Sequence, residues 1–194
     1  MPIPPLNTSG VLPPFVGDNP TNPAQMAPFA VDFTELAQRF GTSPERWGLL
    51  RGLLAYRDVL RASRLQAGFQ WIDGSFLEDI EKTRGRPPAD IDVVTFMLLP
   101  TGVSPRAFQT QNPELFDRGS IQSRFHCDAY FVNLGIGAHR PDLLVAQTRY
   151  WYGLFSHQRA SYLWKGMLQI DLLSDEDAVK RQFAHTEGPH APQT

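Results

Sequence analysis

Trp71-Ile72-Asp73-Gly74-Ser75-Phe76, followed after a loop by Ala89-Asp90-Ile91-Asp92-Val93-Val94, is the stretch on which the reading of this chain turns. Two apolar runs flank a Gly-Ser corner and an Asp-x-Asp pair, and the fourteen residues between Ser75 and Asp90 are mostly polar, charged or proline. In a strand alternate side chains share a face, so Asp90 and Asp92 project to one side about 6–7 Å apart, while Ile91 and Val93 point into the expected core. Two like charges at one strand end repel, and that costs stability unless a hard cation or water relieves them. On the other side of the loop, a glycine after a strand permits a tight turn and close approach by a ligand. The next backbone N–H and the Ser75 hydroxyl can then donate to phosphate oxygens.

Gly74-Ser75 followed by Asp90-Ile91-Asp92 resembles the signature of the DNA polymerase β-like nucleotidyltransferase superfamily, in which Gly-Ser precedes Asp-x-Asp on the next strand. More narrowly, Gly10-Val11-Leu12-Pro13-Pro14, the helix near Phe40-Gly41, the Ile72–Phe76 run and a late Lys165-Gly166 look like a family of small, largely uncharacterised bacterial and phage-associated proteins with this domain. The likeness spans about residues 10 to 173. It implies an α+β nucleotidyltransferase fold (polymerase β-like palm), with a mixed sheet of about four to five strands flanked by helices. It also implies a third carboxylate on a later strand, and Asp128 sits where that pattern asks.

The composition fits one soluble domain. The 194 residues are 42% hydrophobic and 20% charged, ordinary proportions for a globular chain with a sizeable core. Eighteen Lys+Arg against twenty Asp+Glu leave a net charge of −2, so nucleic-acid contact would need a local patch rather than bulk charge. The single cysteine, Cys127, excludes an internal disulfide and a cysteine-cluster zinc site. No signal peptide or membrane span is expected, and the expected location is cytoplasmic.

Residues 1–31 hold eight of the seventeen prolines and form an extended arm in this reading. Leu12, Phe15, Met26, Phe29 and Val31 make it apolar enough to pack across the domain or dock a protein partner. Residues 32–185 form the nucleotidyltransferase-like domain and 186–194 a flexible tail. Asp32 with Glu35 marks a helix to Phe40, and Ser43-Pro44-Glu45 starts a second to about residue 64. Its Arg46, Arg51, Arg57, Arg61 and Arg64 read as a solvated face. Strands are expected over 69–72, 90–99, 125–132 and 167–173, with a short helix near 112–117 and an aromatic-rich helix, or a helix and a turn, over 142–165. In that stretch most rings read as core, though one could stack a base. His126 reads as a plain strand histidine. Ser174 with Asp177 predicts a last helix to about Ala184.

The resemblance implies a transfer of NMP from an NTP to an acceptor hydroxyl on RNA, protein or a small molecule, in a toxin–antitoxin or phage-defence setting. Two Mg²⁺ ions (or Mn²⁺) would be held by Asp90, Asp92 and Asp128, the catalytic carboxylates. Gly74, Ser75, Lys82, Arg84, Arg86 and Lys165 are the candidate nucleotide-binding residues. Two alternatives stand beside it: a catalytically weak, nucleotidyltransferase-like binding or antitoxin partner that docks through the arm, and a two-metal nuclease. A nuclease needs no triphosphate grip at Gly74-Ser75.

Overall fold

The reciprocal bonding that Asp32 and Glu35 predict is present. Asp32 Oδ1 accepts from the Glu35 N–H at 2.7 Å, and the Glu35 carboxylate accepts from the Asp32 N–H at 2.9 Å, opening α1 (Phe33–Phe40). In the computed structural model, which describes residues 3–159 and 161–186, α2 (Pro44–Ala62) follows. Its first turn holds Pro44, and Ser43 Oγ accepts from the Arg46 N–H.

One mixed sheet of five strands organises the chain. β1 (Phe29–Val31), β2 (Ala67–Asp73), β3 (Ile91–Leu98), β4 (Cys127–Asn133) and β5 (Leu168–Asp171) are ordered β1-β5-β2-β3-β4. β2 runs antiparallel to both β3 and β5, while the β3–β4 and β1–β5 pairs are parallel. A parallel neighbour requires a crossover. Between β3 and β4 it is made by α4 (Pro105–Gln111), a 3-10 turn over Pro113–Phe116 and α5 (Arg118–Phe125).

Alternation along the strands splits the core in two. Ile72, Ile91, Val93, Met97, Leu168 and Ile170 pack on one face with buried residues of α1, α2 and α5. Trp71, Val94, Phe96, Val132 and Met167 lie on the other, under Trp151 and Phe155 of α6 (Pro141–Phe155). The architecture is therefore α+β, a mixed sheet with helices on both faces. Among the described residues no helix is long and apolar enough to cross a membrane.

Several local expectations change. The helix expected near 112–117 is the 3-10 turn, flanked by two helices that the sequence pattern hid because α4 buries only Phe108 and α5 only Ile121 and Phe125. His126 closes α5 in a left-handed conformation (φ 52°), so it is not part of β4. Of the two readings of the aromatic stretch, the structure has the helix followed by a turn, with α6 ending at Phe155. The stretch continues as a loop closed by the Gln158 N–H on Leu163 O and the Lys165 N–H on Ser156 O. Ser174 does not open α7 (Asp177–Thr186): its hydroxyl accepts from the Phe33 N–H, and Asp175 receives the Asp177 N–H. Past Thr186 the expected tail lies outside the described residues.

Two arginines read as solvated are buried. Arg57 donates to Glu176, to Gln70 Oε1 and to Asp171 O, tying α2 to the sheet and to the loop before α7. Arg46 turns toward the Gly-Ser corner. The proline-rich segment is part of the domain: Val11 and Leu12 are buried, and Phe29–Val31 supplies the edge strand β1. The apolar residues that suggested partner docking therefore pack largely within the chain.

Candidate functional site

β2 ends at Asp73, and the β2–β3 register sets Asp73 opposite Asp92. The β3–β4 register sets Asp92 opposite Asp128, so the three carboxylates form one row across three strands, with Asp90 just ahead of β3. By alternation they share the face of Trp71, Val94 and Tyr130, away from the principal core.

Gly74 joins the two halves of the pattern. Its φ is +88°, and a Cβ there would stand 2.1 Å from Asp92 Oδ2. Only glycine accommodates both that backbone and that contact. Ser75 opens a short 3-10 turn (Ser75–Leu77) whose backbone is held from behind. Arg46 donates to Phe76 O at 2.6 Å and Glu78 O at 2.7 Å, and pairs with Glu81. The arm completes the support: the Asp79 N–H donates to Gly10 O and the Gly166 N–H to Leu12 O, both at 2.8 Å. A Cβ on Gly166 would come within 2.4 Å of Pro13 O, so this contact too requires glycine.

Behind the row lies a buried cation. Lys165 is 4% exposed, with Nζ 3.0 Å from Asp73 Oδ1 and 3.1 Å from Glu78 Oε1. Its hydrogen bond goes to Glu78, whose other oxygen accepts from Gln158 Nε2 at 2.8 Å. Toward Asp73 the contact is a charge pair, and Asp73 Oδ1 has no aligned donor. Burial works to lower the Lys165 pKa, but Asp73 and Glu78 outweigh it and the ammonium is held above its ordinary range. Burial pushes the Asp73 carboxyl up to about 7 against the pull of Lys165. Burial, then repulsion from Asp90 and Asp128, raises Asp92 to about 6.

The outer carboxylates have partners. Asp128 pairs with Arg118 at 2.7 Å, and Arg118 stacks on the Tyr130 ring. Asp90 receives a 3.3 Å bond from Gln122 Nε2. Among the described residues no three His, Cys, Asp or Glu side chains are already converged on a common metal position. The donor set nevertheless fits a hard divalent cation in kind. It is all carboxylate oxygen, and the repulsion that raises Asp92 is what such a cation would relieve. Within that set Asp128 has Oδ1 on Arg118 and Oδ2 3.4 Å from the Tyr130 hydroxyl.

A family model described as a family of unknown function (DUF6932) matches residues 4–171, from within the proline-rich arm to the end of β5. The chain belongs to that family. No curated protein and no solved structure matches it. The span of the DUF6932 match thus takes in the arm, the row and Lys165.

In this DUF6932 chain the predicted residues are only partly brought together. Gly74, Ser75, Asp90, Asp92 and Asp128 gather at one end of the sheet. Lys82 and Arg84 lie exposed on α3 (Ile80–Arg84), and Arg86 bonds Pro87 O. Among the described residues none of these three bonds to an aspartate of the row. Lys165 is at the site but buried behind it. Sequence reasoning did not assign Asp73, Glu78 or Arg46. Asp73 stands beside the Gly-Ser corner, and that adjacency was the available signal. Nothing local marks the other two.

Proposed function

We propose that this chain is a Mg²⁺-dependent nucleotidyltransferase that moves an NMP from an NTP to an acceptor hydroxyl on RNA, protein or a small molecule. The observation that carries the reading is the contact of Gly74 with Asp92 inside the Asp73–Asp92–Asp128 row. That contact brings the glycine-serine corner against a set of carboxylates, which supports reading the corner as a phosphate grip. The resemblance to polymerase β-like nucleotidyltransferases supports the same assignment.

In this reading the Ser75 hydroxyl and the Ser75 backbone N–H bind the triphosphate. Asp90 and Asp92 would hold the cation associated with the nucleotide, and Asp128 would help hold the one on the acceptor side. The chemistry supplied by Mg²⁺, or Mn²⁺, bound there is charge compensation on the attacking and leaving oxygens. Asp128 favours loss of the proton from the acceptor hydroxyl, whose oxygen attacks the α-phosphorus as the bond to pyrophosphate breaks. Lys165 offsets one of the two charges of Asp73 and Glu78, so the buried base of the site adds at most one net negative charge beneath the triphosphate.

The test is thermal unfolding of the wild type and Asp92→Asn with ATP, GTP, CTP and UTP, with and without Mg²⁺. A ligand at a hundred times its Kd adds about 2.7 kcal/mol, or roughly 5–10 °C for a domain of this size. The expected result is a shift by at least one nucleotide that needs both Mg²⁺ and Asp92. No shift by any nucleotide would overturn the reading.

A further inference from the structure

A cavity of about 970 Å³ opens on the α6 face of the sheet, walled by Leu144, Tyr152, His157 and Trp164 and closed at its base by Trp71. Resting on the transferase reading above, we infer that this cavity takes the nucleobase of the donor nucleotide. Four observations converge on that occupant.

Two lining residues of the cavity are near neighbours in the chain of residues at the row. Trp71 lies two residues before Asp73 on the same face of β2, about 6–7 Å along the strand. Trp164 directly precedes Lys165, and the loop between them and α6 also sends Gln158 to Glu78. A nucleotide anchored by its phosphates at Ser75 would extend along β2 past Asp73 toward Trp71.

The walls suit a flat heterocycle. Trp71, Tyr152 and Trp164 present rings, with Trp71 and Tyr152 edge to face at 6.2 Å. Every base offers a π-face, and aromatic platforms bind it through stacking. Trp164 is 40% exposed, which leaves ring surface available to a ligand. Its other neighbour is Phe15 of the arm, at 5.9 Å.

The polar groups are few and sit on the lining: Thr148, Arg149, Ser156 and His157. Ser156 Oγ and His157 Nδ1 already bond each other and Gly153 O, so edge recognition of a base falls to Thr148, Arg149 and the other His157 ring nitrogen.

The position across the strands favours donor over acceptor. The cavity stands over β2, the strand that leads into the Gly-Ser corner, whereas Asp128 lies two strands away on β4 beneath Arg118. An acceptor activated at Asp128 approaches from that side.

Equilibrium binding of ATP, GTP, CTP, UTP and inorganic tripolyphosphate, each with Mg²⁺, tests the assignment in the wild type, Trp164→Ala, Trp164→Phe and Asp92→Asn. Trp164→Ala should weaken the preferred nucleotide about tenfold or more and leave tripolyphosphate unchanged, with Trp164→Phe restoring most of the loss. Asp92→Asn should weaken both ligands. If Trp164→Ala binds nucleotide as the wild type does, or if the wild type holds tripolyphosphate as tightly as any NTP, the cavity is not a base site and the transferase reading survives. If the wild type binds none of the five, both fall. Sedimentation of the same variants covers the remaining occupant: a wild-type dimer that Trp164→Ala dissociates would make the cavity a self-association surface and overturn the assignment.

Discussion

Asp73 stands directly opposite Asp92 across the antiparallel β2–β3 pair, so two buried or half-buried carboxylates share one face with a single buried ammonium, Lys165, behind them. Their shifts run the same way, both above the ordinary carboxylate range. A site with this balance favours protons or cations, and its stability must depend on which is present.

For Asp92 the linkage has a definite sign. The folded chain binds its proton more tightly than the unfolded chain, because the pKa rises from 3.8 to about 6. Its contribution to stability is therefore greatest below about pH 4 and declines as pH rises through 6. In metal-free buffer Asp92→Asn should be more stable than the wild type at pH 8, by about 1–3 kcal/mol, with the gap closing near pH 4. Urea denaturation across that range checks it. A variant less stable than the wild type at pH 8 would contradict the assignment.

Divalent cations compete with the same proton. The rise in melting temperature produced by Mg²⁺ or Mn²⁺ should grow between pH 5 and 7.5 and vanish in Asp92→Asn. An effect of equal size at both ends would place the binding elsewhere.

Lys165 is the counter-charge to Asp73 and Glu78. Replacing it with Met leaves two carboxylates buried without a cation, and loss of one partner of a buried pair costs about 3–5 kcal/mol. Part of that loss should return in Lys165→Met combined with Asp73→Asn. Chemical denaturation of the single and double variants measures the coupling; simple additivity would show that the pair does not interact.

Gly74 and Gly85 both have positive φ, but only Gly74 faces a neighbour. A Cβ on Gly85 meets nothing within 4 Å, while one on Gly74 would stand 2.1 Å from Asp92 Oδ2. Gly85→Ala should therefore cost about 1 kcal/mol from backbone strain alone, and Gly74→Ala about 2 kcal/mol or more. Equal losses in thermal unfolding would mean that the corner and Asp92 are not in contact.

Ser75 separates transfer from hydrolysis by the same carboxylates. It is half-buried at the start of the 75–77 turn, so Ser75→Ala should fold normally. NTP binding should fall about tenfold, in keeping with the loss of a hydrogen bond to a charged oxygen. A two-metal nuclease would keep its rate in this variant, and isothermal titration beside a nuclease assay distinguishes the two.

Local patterns carried much of this structure. Period-two alternation placed Asp92 on the face opposite Ile91 and Val93, the Asp32–Glu35 spacing opened α1, and Ser43-Pro44 opened α2, because each depends on residues within one turn or one strand. The helices α4 and α5 escaped notice because so few of their residues are buried that no apolar period shows. The chemistry of single side chains also does not reveal where they point. Arg46 and Lys165 look like surface cations in the sequence, yet their carbonyl and carboxylate partners lie 30 to 92 residues away and are assembled only when the sheet and the arm close around them. The sequence by itself determined the strand-borne carboxylates, the glycine-serine corner and the α+β class. Only the tertiary structure decided that Asp73 joins the row, that the arm braces the corner and that Lys165 lies beneath it, because strand register and burial are set by contacts between segments far apart in the chain.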